Sequence, residues 1–302
     1  FNKGIAVKSI IFSGQRSQYA GMLSTLKDDI TVRNTFDRAS FILGKDLWAL
    51  CSDESIDRTD IAQPVLLTAG VALYRTIGCP AGIMAGHSLG ELIALTCAGA
   101  IDFEDALHLV SYRGQLMKEL GHPGCMAMIY GLSYEKVHEL CNGLVDVAAI
   151  NSPLRISIAG EVEPVKLIVE QAISQGAEWA DVWEETLPFH SRLMLPIVES
   201  FQEAVDDIHV EVPAWSSVVS NVTGEVYSSP LQIRTNLVKH LTNTVQWHKC
   251  LSTISTYNIA SFIEIGAKSV LAKLMAENVK DAKIVGIHDA ETIDKYYNNR
   301  NL

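Results

Sequence analysis

The stretch that most limits what this chain can fold into is a brief apolar run, Ala81 to Ala85, which passes directly into Gly86-His87-Ser88-Leu89-Gly90. The run reads as a short buried strand, and Glu91 to Ala98 behind it reads as a helix. Strand, tight turn and helix in that order make the G-x-S-x-G elbow, which holds a serine hydroxyl exposed on a strained turn. The flanking glycines remove side chains that would collide there. The helix start offers unpaired amides and a partial positive charge, both suited to a developing oxyanion. The amide of Leu89, the residue after Ser88, is the first candidate donor. The same five residues also occur as an ordinary glycine turn, so the flanking strand and helix carry the argument.

The rest of the chain reads as two textures. Val7 to Phe12 is a buried strand broken by Ser13-Gly14. A short helix over Met22 to Leu26, one from Ile30 to Leu43 stopped by Gly44, and an apolar helix over Gln63 to Ile77 follow. Asp102 is expected to cap a helix from Phe103 to Leu120 through its side chain. This alternation predicts an α/β core with a parallel sheet. From Gly124 the order becomes β-α-β-β-α-β: strands at 126–130, 145–150, 156–159 and 179–182, with helices at 134–140 and 164–175. That is the ferredoxin-like pattern. The expected organisation is a core from 1–123 and 187–302 with an inserted subdomain at 124–186. In the second core segment, helices are expected at 195–205, 231–240 and 269–275, and strands at 217–220 and 259–265.

Composition narrows the function classes. The 24 basic and 35 acidic residues give a net charge of −11, which lacks the electrostatic footprint of a nucleic-acid binder and is not drawn to anionic membranes. No apolar run approaches the roughly 20 residues that span a bilayer. The six cysteines form no C-x-x-C pair and read as reduced, small hydrophobes, which favours a cytoplasmic location. No spacing suggests a metal site.

A serine needs a base poised near neutral pH, and histidine is the usual choice. Of nine histidines, His87 adjoins Ser88 but is expected to point away from the turn in a supporting role. His190 lies where the chain re-enters the core, in Leu187-Pro188-Phe189-His190-Ser191. His108, His122, His138, His209, His240 and His288 carry no further signal. The residues alone leave the choice open.

Gly86-His87-Ser88-Leu89-Gly90-Glu91 resembles the GHSLGE signature of malonyl-CoA:acyl carrier protein transacylases and of the acyltransferase domains of polyketide synthases. Phe12-Ser13-Gly14-Gln15-Arg16-Ser17-Gln18 is similar to their FPGQGSQ. Asp46-Leu47-Trp48, Gln63-Pro64, Tyr112-Arg113-Gly114 through Met117, Pro188 to Ser191, Ser220 to Gly224 and Val245-Gln246-Trp247 follow in family order. The resemblance implies an α/β-hydrolase-like core with a ferredoxin-like insertion. It implies Ser88 as nucleophile and His190 as base, oriented by a backbone carbonyl with the segment containing Gln246 nearby. Gln15 and the Leu89 amide would form the oxyanion hole. Arg113 would hold the malonyl carboxylate, through the paired hydrogen bonds that a guanidinium forms and a lysine does not, with Met117 packed beside it. Phe189, with Leu89, would favour malonyl over an α-methylated group. Malonyl-CoA as donor, an acyl carrier protein as acceptor, and no bound cofactor are implied.

Three departures stand out: Ser13 replaces the proline, Arg16 the second glycine of FPGQGSQ, and Gly266-Ala267-Lys268-Ser269 the usual GPGK. They weaken a housekeeping role in fatty-acid biosynthesis and leave room for a free-standing acyltransferase of a polyketide or hybrid assembly line, for a malonate decarboxylase transacylase subunit, and, separately, for an unusual malonyl derivative as donor. A carrier-protein acyl hydrolase shares the Ser–His pair, with Arg113 as the discriminator. A non-catalytic docking subunit fits poorly with intact Ser88, His190, Gln15 and Arg113. An acidic carrier protein calls for a local basic rim, for which Arg192, Lys249, Lys268 and Lys273 are candidates.

Overall fold

The structure, a computed structural model, describes residues 7–299; the first six and last three residues of the expected core lie outside that range. In chain order the strands are β1 (Val7–Phe12), β2 (Ile83–Gly86), β3 (Cys125–Tyr130), β4 (Asp146–Ser152), β5 (Arg155–Gly160), β6 (Trp179–Trp183), β7 (Ser217–Val218), β8 (Ile259–Ile265) and β9 (Ile284–Ile287). The helices are α1 (Ile30–Leu43), α2 (Leu47–Ser52), α3 (Thr59–Ile77), α4 (Leu89–Cys97), α5 (Phe103–Glu119), α6 (Tyr134–Cys141), α7 (Val162–Ser174), α8 (Val198–Asp207), α9 (Pro230–Lys239), α10 (Trp247–Ser255), α11 (Leu271–Asn278) and α12 (Ala290–Asn299).

Two sheets divide the chain. The first is parallel throughout, in the order β7-β2-β1-β8-β9. Its central strand, β1, is an unbroken Ile10-Ile11-Phe12 run at zero exposure, as expected of a strand covered by helices on both faces. Phe12 pairs with Gly86 on one side and Ile265 on the other. The carboxyl ends of β1, β2 and β8 therefore meet at one edge, where open α/β sheets hold their ligands. The second sheet is antiparallel, in the order β4-β5-β3-β6. With α6 and α7 it forms the ferredoxin-like subdomain around its own core of Ile129, Val137, Ile156, Ile158 and Val165.

Several local expectations change. Asp102 stands at the start of α5, but its side chain makes no capping bond; only its carbonyl takes the Ala106 amide, at 2.9 Å. Glu104 and Asp105 supply the first-turn negative charge instead. The helix expected from Leu195 opens as a tight 3-10 turn, Arg192–Ile197, which contains Pro196 and hands over to α8. The expected helix from Met22 shrinks to a 3-10 turn, Ser24–Leu26. The six cysteines are free and buried. Among the described residues no helix is long and apolar enough to cross a membrane.

Candidate active site

Ser88 sits between β2 and α4 with φ 54° and ψ −113°, a left-handed backbone that costs a side-chain-bearing residue energy. The crossing is so tight that a Cβ on Gly86 would lie 1.9 Å from the carbonyl carbon of Gly90. Asn221 fixes the turn from outside. Its Oδ1 accepts from the Ser88 amide at 2.8 Å, and its Nδ2 donates to the Gly86 carbonyl at 2.8 Å.

His190 faces the serine from the loop after β6. Its Nε2 lies 2.7 Å from Ser88 Oγ, and its Nδ1 lies 2.8 Å from the His240 carbonyl oxygen. It too has a left-handed backbone, with φ 59°. A carbonyl only accepts, so the Nδ1 proton points at His240 and the Nε2 lone pair is left facing the hydroxyl. Burial, reinforced by the Arg113 charge, lowers the His190 pKa to about 3. The ring is therefore neutral, with the Nε2 lone pair directed at the hydroxyl.

The loop after β1 closes the site from the third side. A Cβ on Gly14 would lie 2.2 Å from the His87 carbonyl and 3.6 Å from the Leu89 nitrogen, so only glycine lets this loop reach the elbow. Among the described residues, the amides of Gln15 and Leu89 donate to no protein acceptor. The Gln15 side chain turns away, its Oε1 accepting from Thr59 Oγ1 at 3.1 Å. The departure at Ser13 has a partner here: Ser13 Oγ donates to Glu264 Oε1 at 2.8 Å. The same buried carboxylate accepts from the amides of Val270, Leu271 and Ala272 at the start of α11. Through Glu264, Ser13 is thus tied to the helix start that follows the altered loop at 266–269.

Ser88, His190, Gln15, Arg113, Phe189 and His87 line one cavity of about 310 Å³. Arg113 is buried, and one guanidinium nitrogen donates to Gln63 Oε1 at 2.9 Å. Burial lowers its pKa to about 10, partly offset by Glu91, so it remains a cation at neutral pH. Met117 lies behind rather than in the cavity, its sulfur accepting from Gln63 Nε2 at 3.3 Å. Leu89 is buried and contributes only its amide to this region, so Phe189 alone of the expected steric pair reaches the cavity wall. His87 does not turn away: it lines the cavity, with Nε2 2.8 Å from Asn151 Oδ1. Gln246 does not line it; its amide donates to the Asn221 carbonyl at 2.7 Å.

The backbone carbonyl expected behind His190 is that of His240. Sequence reasoning missed the side chains that hold these groups: Asn221, and Glu91, which is fully buried. Its Oε1 accepts from the Asn221 amide at 3.0 Å and from Tyr227 Oη at 2.7 Å, while Oε2 faces His240 Nδ1 at 3.4 Å. Burial raises the Glu91 pKa to about 7. Of the expected rim, Arg192 is engaged by Asp146 and Lys249 faces Glu225 at 3.9 Å. Lys268 lines an outer cleft of about 970 Å³.

A serine on a strained elbow, a neutral imidazole in contact with it and free amides opposite are the equipment of an acyl-transfer enzyme. The chain belongs to the acyl transferase domain family, whose profile matches residues 10–301. It is 33% identical to the malonyl CoA-acyl carrier protein transacylase of Bacillus subtilis, with 95% of each chain covered. The structure of the corresponding transacylase from Coxiella burnetii superposes with a TM-score of 0.92 at 34% identity, covering 96% of each chain. A malonyl-transacylase solved in complex with its type II polyketide synthase acyl-carrier protein superposes with a TM-score of 0.92 at 34% identity. It covers 97% of this chain and 99% of that one.

Proposed function

We propose that this chain transfers a malonyl group from coenzyme A to the phosphopantetheine thiol of an acyl carrier protein through an ester on Ser88. The observation that carries the reading is the 2.7 Å contact between Ser88 Oγ and His190 Nε2 in a cavity that also holds the buried Arg113. His190 Nε2 takes the hydroxyl proton as Oγ attacks the thioester carbonyl. The Gln15 and Leu89 amides receive the oxyanion. The tetrahedral adduct collapses, the C–S bond breaks, and His190 returns the proton to the departing coenzyme A thiolate. The carrier thiol then gives its proton to His190, attacks the Ser88 ester and leaves as the malonyl thioester, with the proton returned to Ser88 Oγ.

Arg113 explains the carboxylated acyl group. Gln63 occupies part of its guanidinium, and the remaining donors match a carboxylate. Phe189 narrows the wall against an α-methyl branch, a discrimination worth about 1–3 kcal/mol. The cycle draws on no bound cofactor. Six buried free thiols suit a reducing cytoplasm.

Intact mass after mixing with malonyl-CoA tests the reading. A malonyl adduct is expected on the native chain and not on Ser88→Ala. No adduct, or one that survives the substitution, overturns it. Adding holo-carrier protein should move the group to the carrier thiol; loss to water alone would instead establish the hydrolase.

A further inference from the structure

Arg16 is the one departure that the proposed cycle leaves without a task, and its surroundings are unusual. Its backbone is left-handed, with φ 77°, a conformation that glycine adopts freely and arginine does not. The turn enforces it: the Arg16 amide donates to Gln18 Oε1 at 2.7 Å, and Ser17 Oγ donates to the Gly14 carbonyl at 2.8 Å. The side chain crosses from this core loop to the subdomain and lies over Trp183, with the guanidinium carbon 3.8 Å from the ring centroid. Trp183 Nε1 donates to Asp181 Oδ2 at 3.0 Å, which fixes the indole plane.

Gln15, Arg16, Trp183 and Phe189 are the residues common to the inner cavity and the outer cleft. They form a collar between the two. A thioester that approaches Ser88 from the outer cleft passes its arm along that collar. Among the described residues the Arg16 guanidinium donates to no acceptor and forms no ion pair. Asp181 and Asp57 act on it only from a distance. An exposed cation whose five N–H donors meet no protein acceptor among the described residues, held in place by stacking, is a prepared donor. The groups that pass it are the amide carbonyls of a pantetheine arm.

We propose that Arg16 is a specificity-determining contact for the pantetheine arm, donating from its Trp183-stacked guanidinium to an arm amide carbonyl at the collar. This rests on the acyl-transfer reading above. Coenzyme A and a carrier protein present the same arm, so the contact serves both half-reactions. A glycine at this position provides no such donor, which makes the contact a property of this chain.

The test compares the native chain with Arg16→Gly and Arg16→Lys, using malonyl-CoA and malonyl-pantetheine as donors and reading the rate of Ser88 esterification. Glycine suits the backbone, so Arg16→Gly should melt no lower than the native chain. Its kcat/KM should fall roughly tenfold, as for loss of one charge-assisted hydrogen bond, mostly through KM and equally for both donors. Arg16→Lys should recover part of the loss. A loss confined to malonyl-CoA would assign Arg16 to a phosphate and overturn the amide contact. Unchanged or faster reaction with both donors would make Arg16 a plug and also overturn it. If the native chain forms no Ser88 ester with either donor, the acyl-transfer reading falls first and this contact with it.

Discussion

His190 Nδ1 lies 2.8 Å from the main-chain oxygen of His240, in the place that an aspartate takes in a Ser-His-Asp triad. A backbone carbonyl fixes the tautomer without adding a full negative charge to a crowded, buried site. The orienting group is therefore independent of the side chain at 240. His190→Ala should lower the acylation rate by about 10²–10⁴-fold, the span usual for a lost general base. His240→Ala should keep most of that rate while lowering the melting temperature, because a buried ring is removed. Stopped-flow acylation of the two variants checks this, and equal losses would show that the His240 ring itself takes part.

Asn221 is the only side chain described here that grips the elbow on both sides, at Gly86 and at Ser88. Asn221→Asp keeps an acceptor for the Ser88 amide but places a buried carboxylate against the Gly86 carbonyl. Asn221→Ala leaves both groups without partners, at a cost of about 1–3 kcal/mol for each buried group left unpaired. Both variants should lose stability in urea unfolding, and both should acylate more slowly than a variant of matched stability altered elsewhere in the core. An Asn221→Ala enzyme of native rate and stability would remove Asn221 from the site.

The elbow was legible because it is local: strand, turn and helix lie within about twenty residues, and the glycines announce the crossing. The subdomain was legible for a similar reason, since each of its strands and helices carries its own periodicity. Of the supports of the site, the resemblance implied a backbone carbonyl behind His190 but neither its residue nor the supporting side chains. Asn221 is 133 residues from Ser88, and the link from Glu91 to Tyr227 spans 136; single buried polar residues so far apart leave no spacing to read. The His240 contribution is a main-chain oxygen, so the identity of that residue carries no signal at all. Helix α10 was a different kind of miss, because Trp247, Cys250, Leu251 and Ile254 are buried at helical spacing and could have announced it. Half-exposed β9, at the sheet edge, offers no comparable pattern.

Arg113 is anchored by Gln63, which is in turn held by Thr59 Oγ1 at 2.9 Å. Arg113→Ala should cost malonyl transfer about 3 kcal/mol, roughly a hundredfold in kcat/KM, and acetyl transfer far less. Gln63→Leu should raise KM for malonyl-CoA with a smaller change in kcat, since the guanidinium is then free to swing. Steady-state kinetics with both acyl donors decides the matter. Parallel losses for malonyl and acetyl would argue that Arg113 serves the fold rather than the carboxylate.

Three buried imidazoles, His190, His240 and His87, all have lowered pKa values, in each case chiefly through burial. Below the ordinary histidine value of about 6.5, the unfolded chain binds protons that the native chain refuses. Their contribution to stability is therefore present above that pH and is lost as pH falls, for His190 down to about 3. Glu91 acts in the opposite sense. Its pKa is raised to about 7, so its contribution is present below the ordinary carboxylate range and is lost as pH rises through 7. As pH falls below about 6.5 the three imidazoles therefore oppose the one carboxyl, and stability should fall on acidification. Glu91→Gln removes the opposing group and should steepen the fall. The acylation rate of the folded enzyme should show no inflection near pH 6.5, because His190 is already neutral there. Urea unfolding at pH 7 and pH 5.5, paired with acylation rates over the same range, tests both. Stability that is flat or rising on acidification, or a rate that halves near pH 6.5, would show that these imidazoles titrate freely.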